Sequence, residues 1–552
     1  MIDASQILSL ILILTVTLIL ARLLAPYITR VFNRAPTRLD KVLNPVENAV
    51  YRIIGAETSH SMTWKEYFVA ALLLNVSQML IAFLILLFQD KLPLNPQRFP
   101  GLTLDLAFNT VVSFATNTNL QHYSGETTLS YFSQMAAIQF LQFTSAATGL
   151  SVAIALVRGF TAKSKGMGNF YVDFVRSLTR LFLPLCLVAS IAFVWLGVPQ
   201  TLSDYTLVKT VEGASQTILV GPVASLVSIM QIGTNGGGYY GANSAYPFQN
   251  PSPASDILQI LLMLLIPTAL TFVYGEMLGK RKESRPIIIG AYALFIINLF
   301  IAFIPTTTIG RGIEVRIGGF FSAFWTVVTT AVTTGSVNAS LAAMHPLVIL
   351  SAFLGMLIQA SPGGKGVGLM YMVMYIVITV FIVGLMSGRT PEYLGIKITA
   401  RDVKIVMLAF LVHPIIILVP TVLAYATGAA KAIGVGTDSL GFTQLLYEFT
   451  TAAANNGSDF LGASANTVFF NISTAIVIFL GRFIPIALLL ALAGSMIGRK
   501  RSRSEVGLRT DSISFSFVLV AIVLLVVVLT FFPFLALGPI LAYFQGHVNI
   551  FA

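Results

Sequence analysis

The 552-residue chain has little charge and almost no cysteine. Charged residues make up 10% of it, against about 25% in soluble globular proteins, and hydrophobic residues make up 56%. The single cysteine, Cys186, lies in an apolar stretch, which excludes an internal disulfide framework and any cysteine-rich metal or iron–sulfur site. These shortages exclude a water-soluble fold. We therefore expect the chain to be divided into membrane spans of about 20 apolar residues each, and not into soluble domains.

The signatures of ATP hydrolysis are also missing. The sequence has no phosphate-binding GxxxxGK[ST] loop, no Asp-Lys-Thr-Gly phosphorylation sequence and no soluble segment long enough for a nucleotide-binding domain. It shows no Ser–His–Asp or Cys–His arrangement, and its histidines lack metal-ligand spacing. We therefore expect no catalytic site and no organic cofactor in this chain. ATP could act only through a partner subunit.

What the sequence does contain is ten long apolar segments. They are continuously apolar rather than alternating, and they predict an all-α polytopic membrane protein with ten transmembrane helices. The first lacks a basic start and a cleavage site, and reads as a retained span. The seventh is too long for one helix and is interrupted at 361–366, which predicts two half-helices. The segments cover about 6–28, 66–89, 131–157, 174–198, 255–279, 286–305, 344–387, 404–426, 467–498 and 513–537.

The basic residues alternate strictly between the connections. Of the 33 Lys and Arg, 24 fall in the loops after the odd-numbered segments or in the first two turns of the segment that follows. By the positive-inside rule these loops are cytoplasmic and both termini lie outside. The net charge of +11 is thus a topology signal that needs no nucleic-acid partner. The other connections hold only Lys91, Arg98, Lys209, Arg311, Arg316 and Lys431.

Four of the outer connections share one pattern. Each has a moderately apolar stretch of about 12 residues, expected to be a re-entrant pore helix, and then a polar Asn/Thr/Gly turn. The pattern predicts four span–pore helix–span repeats around a pseudo-fourfold axis, with one extra span at each end. The stretches are 106–121, 222–241, 321–339 and 441–462. The predicted units are 1–65 (first span and basic loop), 66–160, 161–280, 281–400 and 401–500 (pore repeats 1 to 4) and 501–552 (last span).

Four such turns around one axis would direct backbone carbonyls at a common line, where they could replace the hydration shell of a cation. Glycine permits the required positive φ, and three turns supply it as Gly236, Gly335 and Gly457. The first turn offers asparagine, the next most tolerant residue. The polar turns contain no Asp or Glu, except that Asp459 lies just past the fourth. Because divalent cations favour carboxylates, a monovalent ion such as potassium is the expected substrate.

The chain resembles the superfamily of potassium transporters built from four such repeats, and most closely the potassium-binding (A) subunit of the Kdp-type potassium-transporting ATPase. The resemblance rests on the stretches VSFATNTNLQHYSGE, IGTNGGGYYGANSAYPFQNPSP, TTGSVNASLAAMHP, GLMSGRTPEYLGIKI and TTAAANNGSDFLGASANT. It implies a potassium-binding filter lined by Asn117, Thr118, Asn119, Thr234, Asn235, Gly236, Thr333, Thr334, Gly335, Asn455, Asn456 and Gly457, with Gln121, Gly233 and Ser336 near it.

The resemblance also implies a gating loop beneath the filter and a tunnel toward a partner. The gate falls in the 361–368 region, with Gly363, Gly364 and Lys365, and the two implied arginines are Arg389 and Arg482. Lys365 departs from the family pattern. The implied partners are a P-type ATPase catalytic subunit, small accessory subunits and membrane lipid. The implied location is the plasma (inner) membrane of a prokaryote.

Some residues allow two interpretations. Arg482 lies near the middle of the ninth segment, either as a cationic element below the filter or as a structural partner of buried carbonyls. Lys365 could tune the cavity, but we expect it to snorkel from a helix end. Glu448, in the fourth pore stretch, could balance a helix-terminal charge or attract cations. Tyr239 and Tyr240 are expected to brace the second turn by packing.

The leading functional hypothesis is therefore the non-catalytic, potassium-selective binding and translocation subunit of an ATP-driven uptake pump. The alternative is a passive, channel-like potassium uptake protein gated by a cytoplasmic regulatory subunit. A transporter of an organic solute is disfavoured because the polar turns are too small to enclose one.

Overall fold

The computed structural model describes residues 3–161, 166–305, 313–501 and 509–547. Four basic residues that entered the charge pattern lie outside these ranges, namely Lys163, Lys165, Arg311 and Arg503.

Ten helices in the described ranges are long and apolar enough to cross a membrane, which confirms the predicted number of spans. They are Ala4–Phe32, Trp64–Leu87, Tyr131–Phe160, Phe170–Trp195, Pro253–Met277, Arg281–Phe303, Val367–Met386, Ala400–Ala426, Val468–Met496 and Ile513–Phe544, here numbered as the first to the tenth span. The loops after the odd-numbered spans define the basic face. The pore helices enter from the opposite face, at which the first span begins and the tenth ends.

Each predicted re-entrant stretch forms a helix too short to cross a bilayer. At 1.5 Å per residue these helices are about 15 to 23 Å long, against a hydrocarbon core of about 30 Å. Each is followed by its polar turn and then by a helix that returns to the basic face. The four pore helices are Leu104–Ala115, Val223–Ile232, Gly319–Ala331 and Ser439–Ala453.

The seventh apolar segment is two helices, as predicted. A half-helix, Pro346–Ile358, ends at Gln359, whose φ of 54° is left-handed and cannot continue a right-handed helix. The seventh span begins at Val367, directly after Gly366 at φ 80°. Residues 359–366, which we call the break, thus lie at membrane depth without helical structure. Such backbone is stable only where protein or a watery cavity surrounds it.

Burial separates the central from the peripheral spans. In the most apolar window of the third span 89% of residues are buried, whereas the corresponding values for the first and tenth spans are 17% and 28%. The first span packs along the fifth, and the tenth packs along the sixth. The two end spans therefore lie outside the four repeats, with most of their side chains facing lipid.

The remaining elements are short. One helix, Asp40–Ile53, lies on the basic face between the first two spans, and we call it the loop helix. The β-structure of the described residues consists of two hairpins, Thr206–Lys209 with Ser215–Ile218 and Glu392–Tyr393 with Ile396–Lys397. Single helical turns lie at Gln89–Lys91, Gly125–Thr128, Asn243–Ala245, Leu341–Ala343, Ala429–Ala432 and Gly462–Ala465.

Candidate functional site

The four polar turns have the same backbone conformation. In each, the first and third residues of the predicted triplet have positive φ, whereas the middle residue does not. Because peptide planes flip from residue to residue in an extended strand, such an alternation lets successive carbonyls point to one side. The positive values of φ are Asn117 69°, Asn119 56°, Thr234 44°, Gly236 101°, Thr333 44°, Gly335 91°, Asn455 52° and Gly457 98°.

The glycines at the third position lie where the backbones of adjacent turns meet. An added Cβ would overlap the carbonyl oxygen of the middle residue in the next turn, so a side chain is excluded by contact as well as by φ. The pairs are Gly236 with Thr334, Gly335 with Asn456, and Gly457 with Thr118. The second, third, fourth and first turns are thus neighbours in that order.

Asparagine side chains join the first turn to the second. The Asn117 amide Nδ2 donates to the backbone oxygens of Thr234, at 2.6 Å, and Gly233, at 3.2 Å. Asn235 Nδ2 donates back to Asn117 Oδ1 at 2.9 Å. With this contact the four turns close into a ring, and we call this closed set of twelve triplet residues the ring.

A small cavity of about 90 Å³ opens on the side of the ring that faces away from the basic face. Its wall includes the third residue of every turn, so all four turns surround one common space. Gln121 lies on the same wall, where its side chain donates to Gly238 O at 3.2 Å and accepts from Gly238 N at 2.9 Å. We call this cavity the mouth of the ring. The ring and its mouth therefore share one axis.

Side chains behind the ring hold the turns in place. Trp325 Nε1 donates to Ser336 O at 2.8 Å, and the Ser336 hydroxyl donates to Gln231 Oε1 at 3.2 Å. Tyr239 and Tyr240 are fully buried, and their hydroxyls donate to backbone oxygens at 3.0 and 2.8 Å. That these two tyrosines brace the second turn by packing stays a prediction.

The oxygens of the ring are neutral. Within the described part of the chain no three His, Cys, Asp or Glu side chains come together as a metal site would require. Several buried ring oxygens have no hydrogen-bond donor among the described residues, namely Asn119 Oδ1, Asn235 Oδ1 and Thr334 Oγ1. Neutral oxygens without donors can hold a weakly hydrated cation, but they cannot offset the charge of a divalent one.

A buried charged pair behind the ring has no signal in the sequence. His122 Nε2 lies 3.2 Å from Glu448 Oε1, and His122 Nδ1 lies 2.7 Å from Asn471 Oδ1. Burial lowers the pKa of His122, but the contact with Glu448 outweighs it and the net shift is upward. The two partners are 326 residues apart. No local pattern links residues so far apart, which is why the sequence left the role of Glu448 open. In the fold its partner is His122.

Asp459 is the acid nearest the mouth. It is partly buried in the cavity wall, and Gly462 N donates to its Oδ1 at 3.2 Å. Burial, together with the negative charge of Glu448, raises the pKa of Asp459 to about 7. The charge at the mouth of the ring therefore changes near neutral pH.

The break lies directly against the inner end of the ring. Lys365 N donates to Thr234 Oγ1 at 3.2 Å, and Gly363 N donates to Ala331 O at 3.0 Å. A Cβ on Gly364 would overlap the Thr333 hydroxyl. The break thus contacts the first residues of the second and third turns, which are the innermost residues of the ring.

The prediction that Lys365 snorkels is wrong. Its side chain is 2% exposed, and its Nζ has no hydrogen-bond partner among the described residues. The ammonium lies 4.9 Å from the centre of the Phe182 ring. A snorkelling lysine needs a path to the interface. Here the fourth span, which carries Phe182, closes that path.

The two implied arginines lie far apart in the fold. Arg482 is 6% exposed, and its Nη2 lies 3.4 Å from Ser145 O on the third span, close to Gly149 and hence to the break. Arg389 lies on an exposed turn after the seventh span. The 20 residues of that span, about 30 Å of helix, separate it from the break. The structure therefore joins Arg482, but not Arg389, to the ring and the break.

Comparison with known proteins agrees with this architecture. The family described as "KdpA: Potassium-transporting ATPase A subunit" matches residues 11–544. A relative from Caldanaerobacter subterraneus subsp. tengcongensis, named potassium-transporting ATPase potassium-binding subunit, is 44% identical over 96% of this chain and 97% of its own length. Relatives of the same name from Alicyclobacillus acidocaldarius and Geobacillus kaustophilus are 46% and 43% identical, covering 94% and 92% of this chain and 95% and 93% of their own.

The crystal structure of the potassium transporter TrkH from Vibrio parahaemolyticus shares the fold. The TM-score is 0.53 at 16% sequence identity, over 89% of this chain and 98% of that one. At this identity the likeness supports the four-repeat architecture alone. The family match and the three relatives each extend over nearly the whole chain, and the chain therefore belongs to the KdpA family of potassium-transporting ATPase A subunits.

Proposed function

We propose that the ring binds and selects potassium, and that the chain is the potassium-binding and translocation subunit of an ATP-driven uptake pump. The observation that carries this proposal is the closed ring of four turns with matched φ and neutral oxygens. Such a ring can replace the hydration shell of a monovalent cation without a carboxylate. Membership of the family and the names of the relatives support potassium as the ion.

The ion follows a path from the outer side through the ring to the break. The distribution of basic loops supports an orientation with the basic face in the cytoplasm and both chain ends outside, which we propose for a prokaryotic plasma membrane. The mouth cavity then opens outward and collects the ion. Because the break contacts Thr234 and the Thr333 hydroxyl, it must move before an ion can leave the ring. Gly363, Gly364 and Lys365 form this gate.

A P-type ATPase catalytic subunit, with small accessory subunits, receives the ion and supplies the energy. Arg482, which lies next to the break, acts as a fixed cationic element below the ring. Arg389 is exposed on the basic face and is available for a partner contact there.

The experiment compares two glycine variants in the reconstituted complex. Gly236→Ala places a Cβ against Thr334 O, whereas Gly213→Ala tests the same left-handed backbone in an open hairpin with φ 82° and nothing within 4 Å. ATP-driven potassium uptake into liposomes is measured in competition with rubidium and ammonium. We expect Gly236→Ala to lose discrimination and Gly213→Ala to keep it.

Unchanged ion competition in Gly236→Ala would contradict the filter. Potassium flux by the chain purified without any ATPase subunit would contradict the pump and favour the passive uptake protein instead.

A further inference from the structure

The loop helix is held to the fourth span by a buried acidic anchor. The side chain of Glu47 is 2% exposed and accepts from Arg180 Nε at 2.5 Å. Arg180 also pairs with Asp40, and its Nη2 donates to Asn44 Oδ1 at 2.6 Å. Tyr51 is buried on the same side of the helix. One face of the loop helix is therefore fixed against the protein.

The rest of the loop helix divides into two stripes. At 3.6 residues per turn, the apolar side chains lie about 110° to one side of Glu47 and the polar ones about 120° to the other. The apolar stripe consists of Leu39, Val42, Val46 and Ile53, which are 38%, 70%, 51% and 84% exposed. The polar stripe consists of Lys41, Asn48 and Arg52, all exposed. The two stripes therefore lie on either side of the docked face, about 130° apart around the helix.

The anchor also gives the depth of the loop helix. Arg180 lies ten residues into the fourth span, which begins at Phe170, and this corresponds to about 15 Å along the helix axis. One and two turns further along, Leu183 and Leu187 are 51% and 65% exposed on the surface of the span. The loop helix therefore lies beside the membrane-spanning part of the protein, at the end of a lipid-facing surface.

We propose that the loop helix is an interfacial helix that inserts its apolar stripe into an anionic lipid leaflet at the basic face. An amphipathic helix with a basic polar side lies in the plane of the interface with its apolar side among the acyl chains. Each Lys or Arg near an anionic surface adds an attraction that falls off within a Debye length. This role is separate from ion binding by the ring.

Charge complementarity favours anionic lipid as the occupant. Arg38, Lys41 and Arg52 are exposed, and among the described residues they form no ion pair. They are thus available for lipid phosphates at the level of the helix. Because the acidic groups of the loop helix, Asp40 and Glu47, are already paired with Arg180, the surface facing away from the protein is basic and aliphatic.

The test uses one fluorescent reporter at two matched positions in the full-length chain. Val46→Cys lies on the apolar stripe and Asn48→Cys on the polar stripe, while the native Cys186 is 4% exposed and shielded from labelling. Each variant carries an environment-sensitive dye and is placed in phosphatidylglycerol nanodiscs. Quenching is measured with aqueous iodide and with lipids brominated in their acyl chains.

We expect the dye at position 46 to emit at shorter wavelength, to be quenched by brominated lipid and to be several-fold less accessible to iodide than the dye at 48. Replacing Arg38, Lys41 and Arg52 by Gln should shift the dye at 46 toward water, and the shift should be greater in phosphatidylglycerol than in phosphatidylcholine. Equal iodide access at both positions would overturn the proposal. Protection that appears only in the assembled complex, without quenching by brominated lipid, would overturn it in favour of a protein partner.

Discussion

The ring and the break are both irregular backbone at membrane depth, yet they collect opposite kinds of groups. The ring gathers neutral oxygens, several without donors, and it is closed by contacts between successive turns. The break, directly beneath it, carries the buried amino group of Lys365 and lies near the guanidinium of Arg482. In the function proposed above, the ring attracts a cation, and the break, through the nearby guanidinium of Arg482, repels it.

The difference teaches how an ion can be selected and retained in one place. Two unit charges a few ångströms apart in a protein repel by several kcal/mol, far more than in water. If the ring binds potassium as we propose, the ion meets a steric barrier at the break and repulsion from the guanidinium of Arg482 close to it. Ring variants should change which ion is bound, whereas break variants should change how easily it leaves.

The largest effect is expected from a Cβ in the ring. Gly335→Ala combines a backbone strain of about 1–3 kcal/mol with overlap of Asn456 O, which corresponds to a loss of about 100-fold in potassium affinity. Ion-dependent ATPase activity of the purified complex measures it. Gly428→Ala, at φ 76° and with nothing within 4 Å, is the control. An equal loss of potassium affinity in both variants would contradict the claim that the ring, and not any left-handed glycine, determines ion binding.

A smaller effect is expected at the break. Lys365→Met keeps the side-chain length but removes the polar amino group, and each 1.4 kcal/mol removed from the barrier raises the rate of passage about tenfold. We expect leak of potassium without ATP to increase while ion preference is unchanged. Leak from loaded liposomes measures this, with the exposed Lys431→Met as the control. If Lys365→Met altered selectivity instead, the ring and the break would not be separable.

A few-fold effect is expected from pH at the mouth of the ring. The pKa of Asp459 is raised to about 7, so acidification through neutral pH protonates it and removes a negative charge beside the outer end of the ring. An interaction of about 1 kcal/mol corresponds to a roughly fivefold weaker affinity at the lower pH. Titrations of potassium at pH values on either side of neutrality measure it. Asp459→Asn should be weak throughout and independent of pH, and a persistent pH response would exclude this carboxyl.

The smallest effect is expected where one turn departs from the other three. Asn119 occupies the position of the three glycines with φ 56°, so Asn119→Gly should keep potassium affinity within about twofold. Asn119→Val, which is β-branched and resists positive φ, should lose it. Parallel ion titrations of the two variants measure the pair. A large loss in Asn119→Gly would mean that the amide itself binds the ion.

The spans, pore helices and turns could be predicted because each depends on local sequence. A polar turn after a short apolar stretch indicates a re-entrant helix wherever it occurs, and Gly236 or Asn119 marks positive φ by its own residue type. The pattern repeats four times, so the sequence predicts four turns without any information on the contacts between them. That the twelve ring residues bind potassium stays a prediction.

The features that the sequence could not predict depend on contacts between residues far apart in the chain. Lys365 lies near a helix end in the sequence, but the position of Phe182 on another span decides whether its ammonium can reach the interface. His122 and Glu448 are both unremarkable in sequence, and only the folded repeats bring them together. Polar groups in a membrane protein are paired across spans, and the identity of such a partner is not encoded near either residue.

The interruption of the seventh segment occurs in one repeat only. The helices that follow the first, second and fourth turns are the third, fifth and ninth spans, each of which is a single long helix. A pore assembled from four identical chains would carry any hinge four times and move all quadrants together. Here a single polypeptide encodes each quadrant separately. One quarter can therefore be a moving part while the other three form a fixed frame, and a mutation in one repeat alters one side of the pore alone.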